Sequence, residues 1–412
     1  MDGCDYDAVI VGARVAGSSL ALELARQGRR VVLLDKEEFP SDTLSTHFMM
    51  PFAVQHLVRL GVLDDVLAAG FRKVVRTRTY VGACSLEGPI GPPGSFALCP
   101  RRSVLDTLLL DRAIRAGAEF LPRTRAEGLV DEGGRVAGVV VSSGGERREL
   151  RGRVVVGADG KHSRVAAWVG AESYREVPAL RPVYYGYYRG LAPLPETTFE
   201  YFHGDGRLGL VMPMRRGEDC LALELRPDEF DAMRSDPQPG FEERFASLPG
   251  MAPRLRRAEL EGKIRGARGI ANYFRRPYGD GWALTGDAAY LKDPSTGLGI
   301  GDALAQSSLL AVALGEWLDG ADWDEALGRY HARRDEAMLP LYELTLAHTS
   351  LADPAPADLA WLEAAFSLVT SARLLAHGAL QRRAELLPAD VLSRVDAYAP
   401  LFAPAPAGEL AA

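Results

Sequence analysis

The first 35 residues carry the pattern that most restricts the fold. An apolar segment, Asp7 to Val11, predicts a short buried strand, and Ser18 to Gln27 predicts an amphipathic helix that ends at Gly28. A second apolar run, residues 31–34, predicts another buried strand that closes on Asp35. This strand–helix–strand order is typical of a Rossmann-like α/β domain with a parallel sheet.

A glycine-containing turn joins the first strand to the helix. Gly12 permits the tight turn, and Gly17 lets the helix and strand backbones approach closely. The free N–H groups and positive dipole end of the helix are suited to a pyrophosphate. Arg14 occupies the position of a middle glycine, so its side chain must point away from the phosphates or help to neutralise them. The predicted cofactor-binding residues of this turn are Gly12, Ala13, Val15, Ala16 and Gly17.

Asp35 lies about twenty residues beyond the turn, where an acid can accept a hydrogen bond from a ribose 2′-hydroxyl. We place the neighbouring Lys36 in the same cofactor site. The segment predicts a bound dinucleotide but does not distinguish NAD from FAD. The alternative is a glycine-containing turn in an α/β protein that binds no nucleotide.

Two later segments repeat the arrangement of an acid at the end of an apolar strand. Residues 154–160 place Asp159 there, and residues 282–289 end similarly before a glycine-rich helix start. Such an acid can accept hydrogen bonds from sugar hydroxyls, and a helix N-terminus can stabilise the anionic edge of a reduced flavin. The predicted cofactor-binding residues of the later segment are Gly286, Asp287, Pro294, Gly297, Leu298, Gly299 and Ile300.

In this order the motifs resemble those of group A flavoprotein monooxygenases, the p-hydroxybenzoate hydroxylase-like family. The resemblance spans roughly residues 5–340 and includes Arg102, which begins an Arg-Ser-Val-Leu-Asp-Thr-Leu helix start whose arginine contacts FAD in the family. Residues 41–47 and 286–303 are similar to a branch near geranylgeranyl-reductase-like flavoproteins. The resemblance implies FAD as the cofactor and NADPH or NADH as the reductant.

The resemblance also implies a Rossmann-like FAD-binding domain interleaved with an antiparallel-sheet substrate domain, plus C-terminal helices. Period-two alternation between residues 181 and 229 predicts that sheet, with Tyr185 and Tyr187 on one face and Tyr184 and Tyr188 on the other. The predicted boundaries are 1–75, 101–178 and 271–325 for the FAD-binding domain, 76–100 and 179–270 for the substrate domain, and 326–412 for the C-terminal helices, with breaks at 353–356 and 387–388.

Three side chains are candidates for handling protons or substrate. His47 lies in a segment that runs beside the flavin in relatives, where an imidazole can carry a proton near neutral pH. His203 lies on or beside the substrate sheet, and Arg215 follows Pro213 where relatives line the cavity. Each has a packing role as its alternative. The sequence contains no spacing typical of metal ligands, so no metal is predicted.

Charge and hydropathy restrict the partners. Lys and Arg number 48 against 55 for Asp and Glu, a net charge of −7, which gives no global attraction to a nucleic-acid backbone. Apolar runs such as residues 309–314 are far shorter than the ~20 residues that span a bilayer. With four widely spaced cysteines and no leader before Asp7, we expect a cytoplasmic monomer or homodimer with reduced thiols, without nucleic-acid or membrane partners.

The function that these expectations favour is an FAD-dependent monooxygenase that uses NAD(P)H and O₂ to oxygenate an aromatic or polyketide-like molecule in secondary metabolism. A C=C reductase of the geranylgeranyl reductase type and a flavin-dependent halogenase are alternatives on the same fold. The reductases' aromatic-Pro signature is not found at Gly209 to Pro213, and the five tryptophans form no Trp-x-Trp-x-Ile-Pro. A further alternative retains FAD only as a scaffold or acts on a substrate bound to a carrier protein.

Overall fold

A βαβ unit forms the N-terminal part of the computed structural model, which describes residues 4–81, 84–91 and 93–349. Strand β1 (Tyr6–Val11) leads into helix α1 (Val15–Arg26), and strand β2 (Val31–Leu34) returns parallel to β1. The helix begins at Val15, so the predicted start at Ser18 is wrong by about one turn. The small residues after Arg14 already belong to the helix, which brings its N-terminus closer to β1 than expected.

The remaining strands occur in runs that are separated by one or more helices along the chain. The strands are β3 (Arg76–Val81), β4 (Cys84–Pro89), β5 (Glu119–Leu121), β6 (Arg125–Glu132), β7 (Arg135–Ser143), β8 (Glu146–Gly157), β9 (Ser173–Val177), β10 (Val183–Arg189), β11 (Thr198–Gly204), β12 (Arg207–Pro213), β13 (Glu218–Glu224), β14 (Glu259–Ala267), β15 (Asn272–Arg275), β16 (Tyr278–Gly279), β17 (Trp282–Leu284) and β18 (Tyr290–Leu291). The helices are α2 (Pro51–Leu60), α3 (Leu63–Ala68), α4 (Arg102–Arg115), α5 (Arg164–Trp168), α6 (Phe230–Met233), α7 (Pro237–Ser247), α8 (Met251–Leu255), α9 (Gly299–Leu318) and α10 (Trp323–Thr349). Single 3₁₀ turns occupy Pro227–Glu229, Gly286–Ala288 and Pro294–Thr296.

The first sheet has the strand order β16-β17-β8-β1-β2-β5, and its central pairs are parallel. Successive residues of β1 face opposite sides, as the strand period requires. Ala8 and Ile10 belong to the core that includes α1 and α9, whereas Val9 and Val11 belong to the core of the β6–β7–β8 ribbon. Burial on both faces explains why β1 is apolar throughout.

The second sheet has the strand order β14-β10-β13-β12-β11-β3-β4. The strands between residues 181 and 229 pair antiparallel, so the predicted antiparallel sheet is confirmed. The sheet continues into β3 and β4, from an earlier part of the chain, through a parallel pairing of β3 with β11. The predicted faces of β10 are confirmed. Tyr185 and Tyr187 lie in the core shared with the first sheet, and Tyr184 and Tyr188 pack with residues of α6 to α8.

A small third sheet, β18-β15-β9, contacts α10 through a cluster that contains Phe274, Tyr290 and Tyr342. The fold class predicted from the sequence is confirmed: a Rossmann-like parallel sheet, a separate sheet and C-terminal helices. The predicted helix breaks at 353–356 and 387–388 lie outside the described residues. In the part of the chain that the structure describes, no helix combines the length and the apolar character needed to cross a bilayer.

Candidate functional site

A cavity of about 610 Å³ lies between the first sheet and the second. This volume falls within the ~300–1,000 Å³ common for ligand sites. Val183, Tyr185 and Ala222 of the second sheet form part of its wall. The predicted cofactor residues in the wall are Gly12, Val15, Ala16, Asp35, Lys36, Arg102, Asp159, Asp287, Pro294, Gly299 and Ile300. Those outside the wall are Ala13, Gly17, Gly286, Gly297 and Leu298.

The glycine turn brings the start of α1 to the cavity. Gly12 has a φ of +106°, and a Cβ atom there would lie 2.4 Å from the carbonyl oxygen of Ala158. A Cβ atom on Gly17 would lie 1.8 Å from the carbonyl oxygen of Gly12, so both positions require glycine. No side chain caps α1, and its first N–H groups therefore remain available for an anion.

Arg14 points away from the helix start. Its guanidinium donates to Asp106 at 3.0 Å and to the Ser41 hydroxyl at 2.9 Å. Arg102 donates to both oxygens of the same, fully buried Asp106, at 2.8 and 3.1 Å. Asp106 thus holds two cationic side chains in the cavity wall. Its single negative charge balances only one of them, so the three side chains together carry a net charge of +1 beside the N-terminus of α1.

Asp35 connects the glycine turn to the end of β2. One carboxylate oxygen accepts the N–H of Ala13 and the other accepts the N–H of Glu37, each at 2.9 Å. Each oxygen still has a lone pair for a ligand hydroxyl. Asp35 therefore shapes the turn as well as lining the cavity.

Asp159 uses its carboxylate to begin helix α5. It accepts hydrogen bonds from the Ser163 hydroxyl at 2.5 Å and from the N–H groups of Arg164 and Val165 at 2.7 and 3.3 Å. Its side chain lies in the cavity wall, but these donors engage both of its oxygens. A cofactor contact by Asp159 stays a prediction.

Asp287 differs from Asp159 because its carboxylate accepts no hydrogen bond from the described residues. It is half-buried in the 3₁₀ turn after β17 and lines the cavity. Burial raises its pKa, while the cations Arg102, Lys292 and Lys161 oppose that shift. A carboxylate without a protein donor, facing a cavity, fits a ligand that carries several hydroxyl groups.

The start of α9 forms another part of the cavity wall. Gly297 has a φ of +67°, and a Cβ atom there would lie 3.1 Å from the ring of Phe48. A Cβ atom on Gly299 would meet no atom within 4 Å, and no side chain caps α9. The helix start therefore presents bare backbone to open cavity space.

We expect Gly299→Val to weaken FAD binding while leaving the stability of the ligand-free protein nearly unchanged, because the added atoms enter only the cavity. Gly297→Ala should instead lower the free energy of unfolding by roughly 1–2 kcal/mol, since alanine is strained at positive φ. Thermal unfolding without ligand and titration with FAD separate the two effects. Unaltered FAD affinity in Gly299→Val would show that the cofactor does not approach α9.

A buried ion pair in the cavity wall was not predicted from the sequence. Lys292 contacts the Asp302 carboxylate, and the two side chains are 3% and 5% exposed. Burial lowers the pKa of Lys292 to about 7, and Asp287 opposes that shift. Only five lysines occur in the chain, and one of them lies inside the Asp287–Pro294 motif. That rarity is the signal that could have identified Lys292.

His47 lies in the core, outside the cavity wall. Its Nδ1 is 3.1 Å from the carbonyl oxygen of Pro100 and must donate to it, so its Nε2 accepts the hydroxyl of Tyr187 at 2.9 Å. Burial lowers the pKa of His47 to about 3, so the ring is neutral near pH 7. Its φ of +55° is uncommon for a residue other than glycine. Proton transfer by His47 stays a prediction.

The structure does not bring the three predicted catalytic side chains together. His203 lies on β11 of the second sheet, and the centre of its ring is 6.0 Å from that of His348 on α10. The Arg215 guanidinium stacks 4.9 Å above the ring of Phe71. Neither lines the cavity. No cluster of three or more His, Cys, Asp or Glu suited to a metal ion occurs among the described residues.

Comparison with known proteins gives one family and several relatives. A family model described as an FAD binding domain matches residues 5–340. The chain is 25% identical to a 1H-pyrrole-2-carbonyl-[peptidyl-carrier protein] brominase of Pseudoalteromonas luteoviolacea, over 80% of this chain and 81% of that protein. It is 29% identical to digeranylgeranylglycerophospholipid reductase 2 of Methanothermobacter thermautotrophicus, over 80% and 83%. It is 35% identical to the 6-methylpretetramide 4-monooxygenase of Streptomyces rimosus, but over 41% and 42% only.

Solved structures share the fold. The myxobacterial chondrochloren halogenase CndH superposes with a TM-score of 0.77 and 22% identity, over 88% of this chain and 89% of that chain. The PqsL protein of Pseudomonas aeruginosa, solved with 2-aminobenzoylacetate, gives 0.71 and 23%, over 84% and 94%. These similarities support the architecture and leave the reaction open among oxygenation, halogenation and reduction.

Proposed function

Because this chain belongs to the FAD-binding-domain family of group A flavoproteins, we propose that it is a monooxygenase that uses NAD(P)H and O₂ to oxygenate an aromatic or polyketide-like molecule. The observation that carries the proposal is the continuity of the cavity. One space is lined by the cofactor motifs of the first sheet and by side chains of the second sheet. A cofactor bound there would share that space with a substrate lying against β10 and β13.

The cavity offers a matching group for four parts of FAD. The uncapped start of α1 and the Arg102 cation suit the pyrophosphate. Asp35 suits the adenosine ribose, and Asp287 suits the hydroxyls of the ribityl chain. The uncapped start of α9 suits the electron-rich edge of the isoalloxazine.

When bound, FAD supplies hydride acceptance from NAD(P)H and the activation of O₂. The chain's own residues bind and orient the substrate. In the cavity wall, the Tyr185 hydroxyl accepts a hydrogen bond from Arg265 at 3.3 Å, and Arg265 also donates to Asp42 at 3.1 Å. Tyr185 keeps its own proton to donate, and Asp42 can accept. These groups suit a ring that carries hydroxyl or carbonyl oxygens, and the apolar Ala222 beside them helps to exclude water.

Partial similarity to a monooxygenase supports oxygenation in particular. The 35% identity to the 6-methylpretetramide 4-monooxygenase is higher than that to the brominase or the reductase, although it covers less of the chain. The sequence also lacks the Trp-x-Trp-x-Ile-Pro of halogenases and the reductases' aromatic-Pro signature. Halogenation and C=C reduction are therefore the outcomes against which the test is designed.

The test is the fate of the electrons from NADPH or NADH. Without a substrate, we expect slow oxidation of NAD(P)H with one H₂O₂ formed per NAD(P)H and O₂ consumed. With a suitable phenol, naphthol or anthraquinone-like compound, oxidation should accelerate. The balance then becomes one hydroxylated product, one water and one NAD(P)⁺, with ¹⁸O from ¹⁸O₂ in the product.

Strict exclusion of O₂ separates C=C reduction from the two reactions that consume O₂, and added halide separates halogenation from oxygenation. A monooxygenase stops once its bound FAD is reduced, whereas a C=C reductase supplied with a prenyl alkene continues for many turnovers. Sustained anaerobic turnover would overturn the proposal. So would a product that appears only with added bromide or chloride and carries the halogen.

A further inference from the structure

One stretch of the cavity wall contains neither helix nor strand. Residues 42–46 all line the cavity, and we call them the wall segment. Among the described residues, their backbone N–H groups find no carbonyl acceptor in the backbone, and the Thr43 N–H donates to the Asp42 carboxylate at 3.0 Å. The position of the wall segment therefore depends on side chains that hold it from outside.

Arg14 holds the first end of the wall segment. Its Nη1 donates to the Asp106 carboxylate at 3.0 Å and to the Ser41 carbonyl oxygen at 3.3 Å. Its Nη2 donates to the Ser41 hydroxyl at 2.9 Å and to the Asp42 carbonyl oxygen at 3.5 Å. Both N–H bonds of each terminal nitrogen thus have an acceptor in the protein. The terminal N–H groups of Arg14 are therefore committed to the chain, and Arg102 is the cation left for a pyrophosphate.

The second sheet holds the same end of the wall segment from the other side. The Asp42 carboxylate accepts a hydrogen bond from Arg265 of β14 at 3.1 Å. The same guanidinium nitrogen of Arg265 donates to the Tyr185 hydroxyl at 3.3 Å, and Tyr185 lines the cavity. A series of contacts thus runs from Arg14 through Asp42 and Arg265 to the side of the cavity where a substrate would lie.

The backbone of Arg14 belongs to the glycine turn. The residue directly precedes α1 and is extended, with φ −90° and ψ −163°. A pyrophosphate at the uncapped start of α1 would rest on the backbone around this position. Backbone and side chain of one residue therefore serve two different parts of the cavity.

We propose that Arg14 is a positioning residue that links FAD binding to the substrate side of the cavity. FAD that fixes the glycine turn also fixes the guanidinium that holds Ser41 and Asp42. The Asp42 carboxylate in turn holds Arg265, which donates to Tyr185. By linkage, contacts that stabilise the wall segment favour FAD binding in return. The inference rests on the proposed FAD site, because the link begins at the turn that would bind the pyrophosphate.

Arg14→Lys is the variant that separates the position of the wall segment from its charge. Lysine keeps the positive charge beside α1, but its single nitrogen cannot reproduce four hydrogen bonds from a planar guanidinium. Asp106 keeps its two bonds from Arg102, so no buried carboxylate is left unpaired. Ser41→Ala is a milder variant, because it removes one acceptor of Arg14 and leaves the arginine in place.

Arg112→Lys is the matched control. Arg112 of α4 donates to Asp65 of α3 at 2.8 Å in a partly buried ion pair, and neither residue lines the cavity. This variant therefore loses guanidinium hydrogen bonds of the same kind without touching the wall segment. We expect it to lower thermal stability and to leave residues 42–46 unchanged.

The first measurement is amide hydrogen exchange of residues 41–46, without FAD and with saturating FAD. We expect FAD to slow the exchange of the wall segment in the parent protein. In Arg14→Lys the wall segment should exchange about tenfold faster or more, as expected when hydrogen bonds to a charged group are lost. The variant should still bind FAD, since the glycines and the charge remain, but FAD should no longer slow the exchange.

The second measurement is the visible absorption band of bound FAD, which responds to the polarity around the isoalloxazine. A loosened wall segment admits water, so the band of Arg14→Lys should move towards that of FAD in water. Arg112→Lys should keep the band of the parent. A role of Arg14 in stability alone would not move this band.

Equal exchange of the wall segment in Arg14→Lys and the parent would overturn the inference, and so would equal slowing by FAD in both. Ser41→Ala should give a smaller effect in the same direction and decides the matter if the lysine variant does not fold. The effects of the two variants should not add in Ser41→Ala/Arg14→Lys, because they remove the same bonds. If the parent binds no FAD, the proposed function and the link fail together, whereas faster exchange in FAD-free Arg14→Lys would still show that Arg14 holds the wall segment.

Discussion

Asp287→Ala should yield a folded protein that retains much less FAD than the parent after purification. The carboxylate lines the cavity and accepts no hydrogen bond from the described residues, so both of its oxygens are available to the hydroxyl groups of a ligand. Loss of a hydrogen bond to a charged group costs about 1.5–3 kcal/mol, which corresponds to roughly 10- to 150-fold weaker FAD binding. Because burial raises the pKa of Asp287, removing this carboxylate also relieves a desolvation penalty and should leave the apoprotein at least as stable.

Asp159→Ala is the matched control for this experiment. Its carboxylate lines the same cavity but begins helix α5 through Ser163 and Arg164. Loss of such a cap costs about 1 kcal/mol of stability, so Asp159→Ala should unfold at a lower temperature and keep more of its FAD. The measurements are FAD content after purification, the FAD dissociation constant and the melting temperature. Full FAD occupancy in Asp287→Ala would remove Asp287 from the binding site.

Lys292→Met should cause the largest loss of stability of any change considered. Below about pH 7, where Lys292 carries its charge, the substitution leaves the Asp302 carboxylate buried without its cation, and breaking a buried ion pair from one side costs about 3–5 kcal/mol. Asp302→Leu should be similarly damaging, because it leaves the ammonium group of Lys292 unpaired. Urea unfolding of the FAD-free proteins measures the effect directly.

The double variant Lys292→Met/Asp302→Leu provides the control for that loss. Replacing both partners with apolar side chains removes both charges, and such replacements are often neutral or stabilising. We therefore expect the double variant to recover most of the stability that each single variant loses. Additive losses in the double variant would show that Lys292 and Asp302 act through separate contacts rather than through each other.

Features determined by local sequence could be predicted. The glycine turn at residues 12–17 and the two faces of β10 follow from rules that relate neighbouring residues, namely turn sterics and strand alternation. The prediction that Tyr184 and Tyr185 lie on opposite faces of β10 needs no knowledge of the partner strands, and both faces are buried. The predicted start of α1 is too late because small residues do not show where helical backbone begins.

Pairings between distant elements could not be predicted in the same way. Arg14 and Asp106 are far apart in the sequence and meet only because α1 packs against α4. The segment around His47 was located from the resemblance, but its bonds to Pro100 and Tyr187 depend on tertiary packing. The parallel pairing of β3 with β11 has the same origin, since it joins two halves of the chain.

Strand β17 is synthesised long after β8, the strand with which it pairs, and this delay has a consequence for folding during synthesis. This strand pairs with residues 155–157 of β8 in the centre of the first sheet, and about 125 residues separate Gly157 from Trp282. At ~5–20 residues per second, a ribosome takes roughly 6–25 seconds to make that stretch. During this time the nascent chain carries an apolar strand edge with open hydrogen-bonding groups, the kind of edge that aggregates. Recovery of folded protein from cells should therefore depend on how well chaperones protect that unfinished edge.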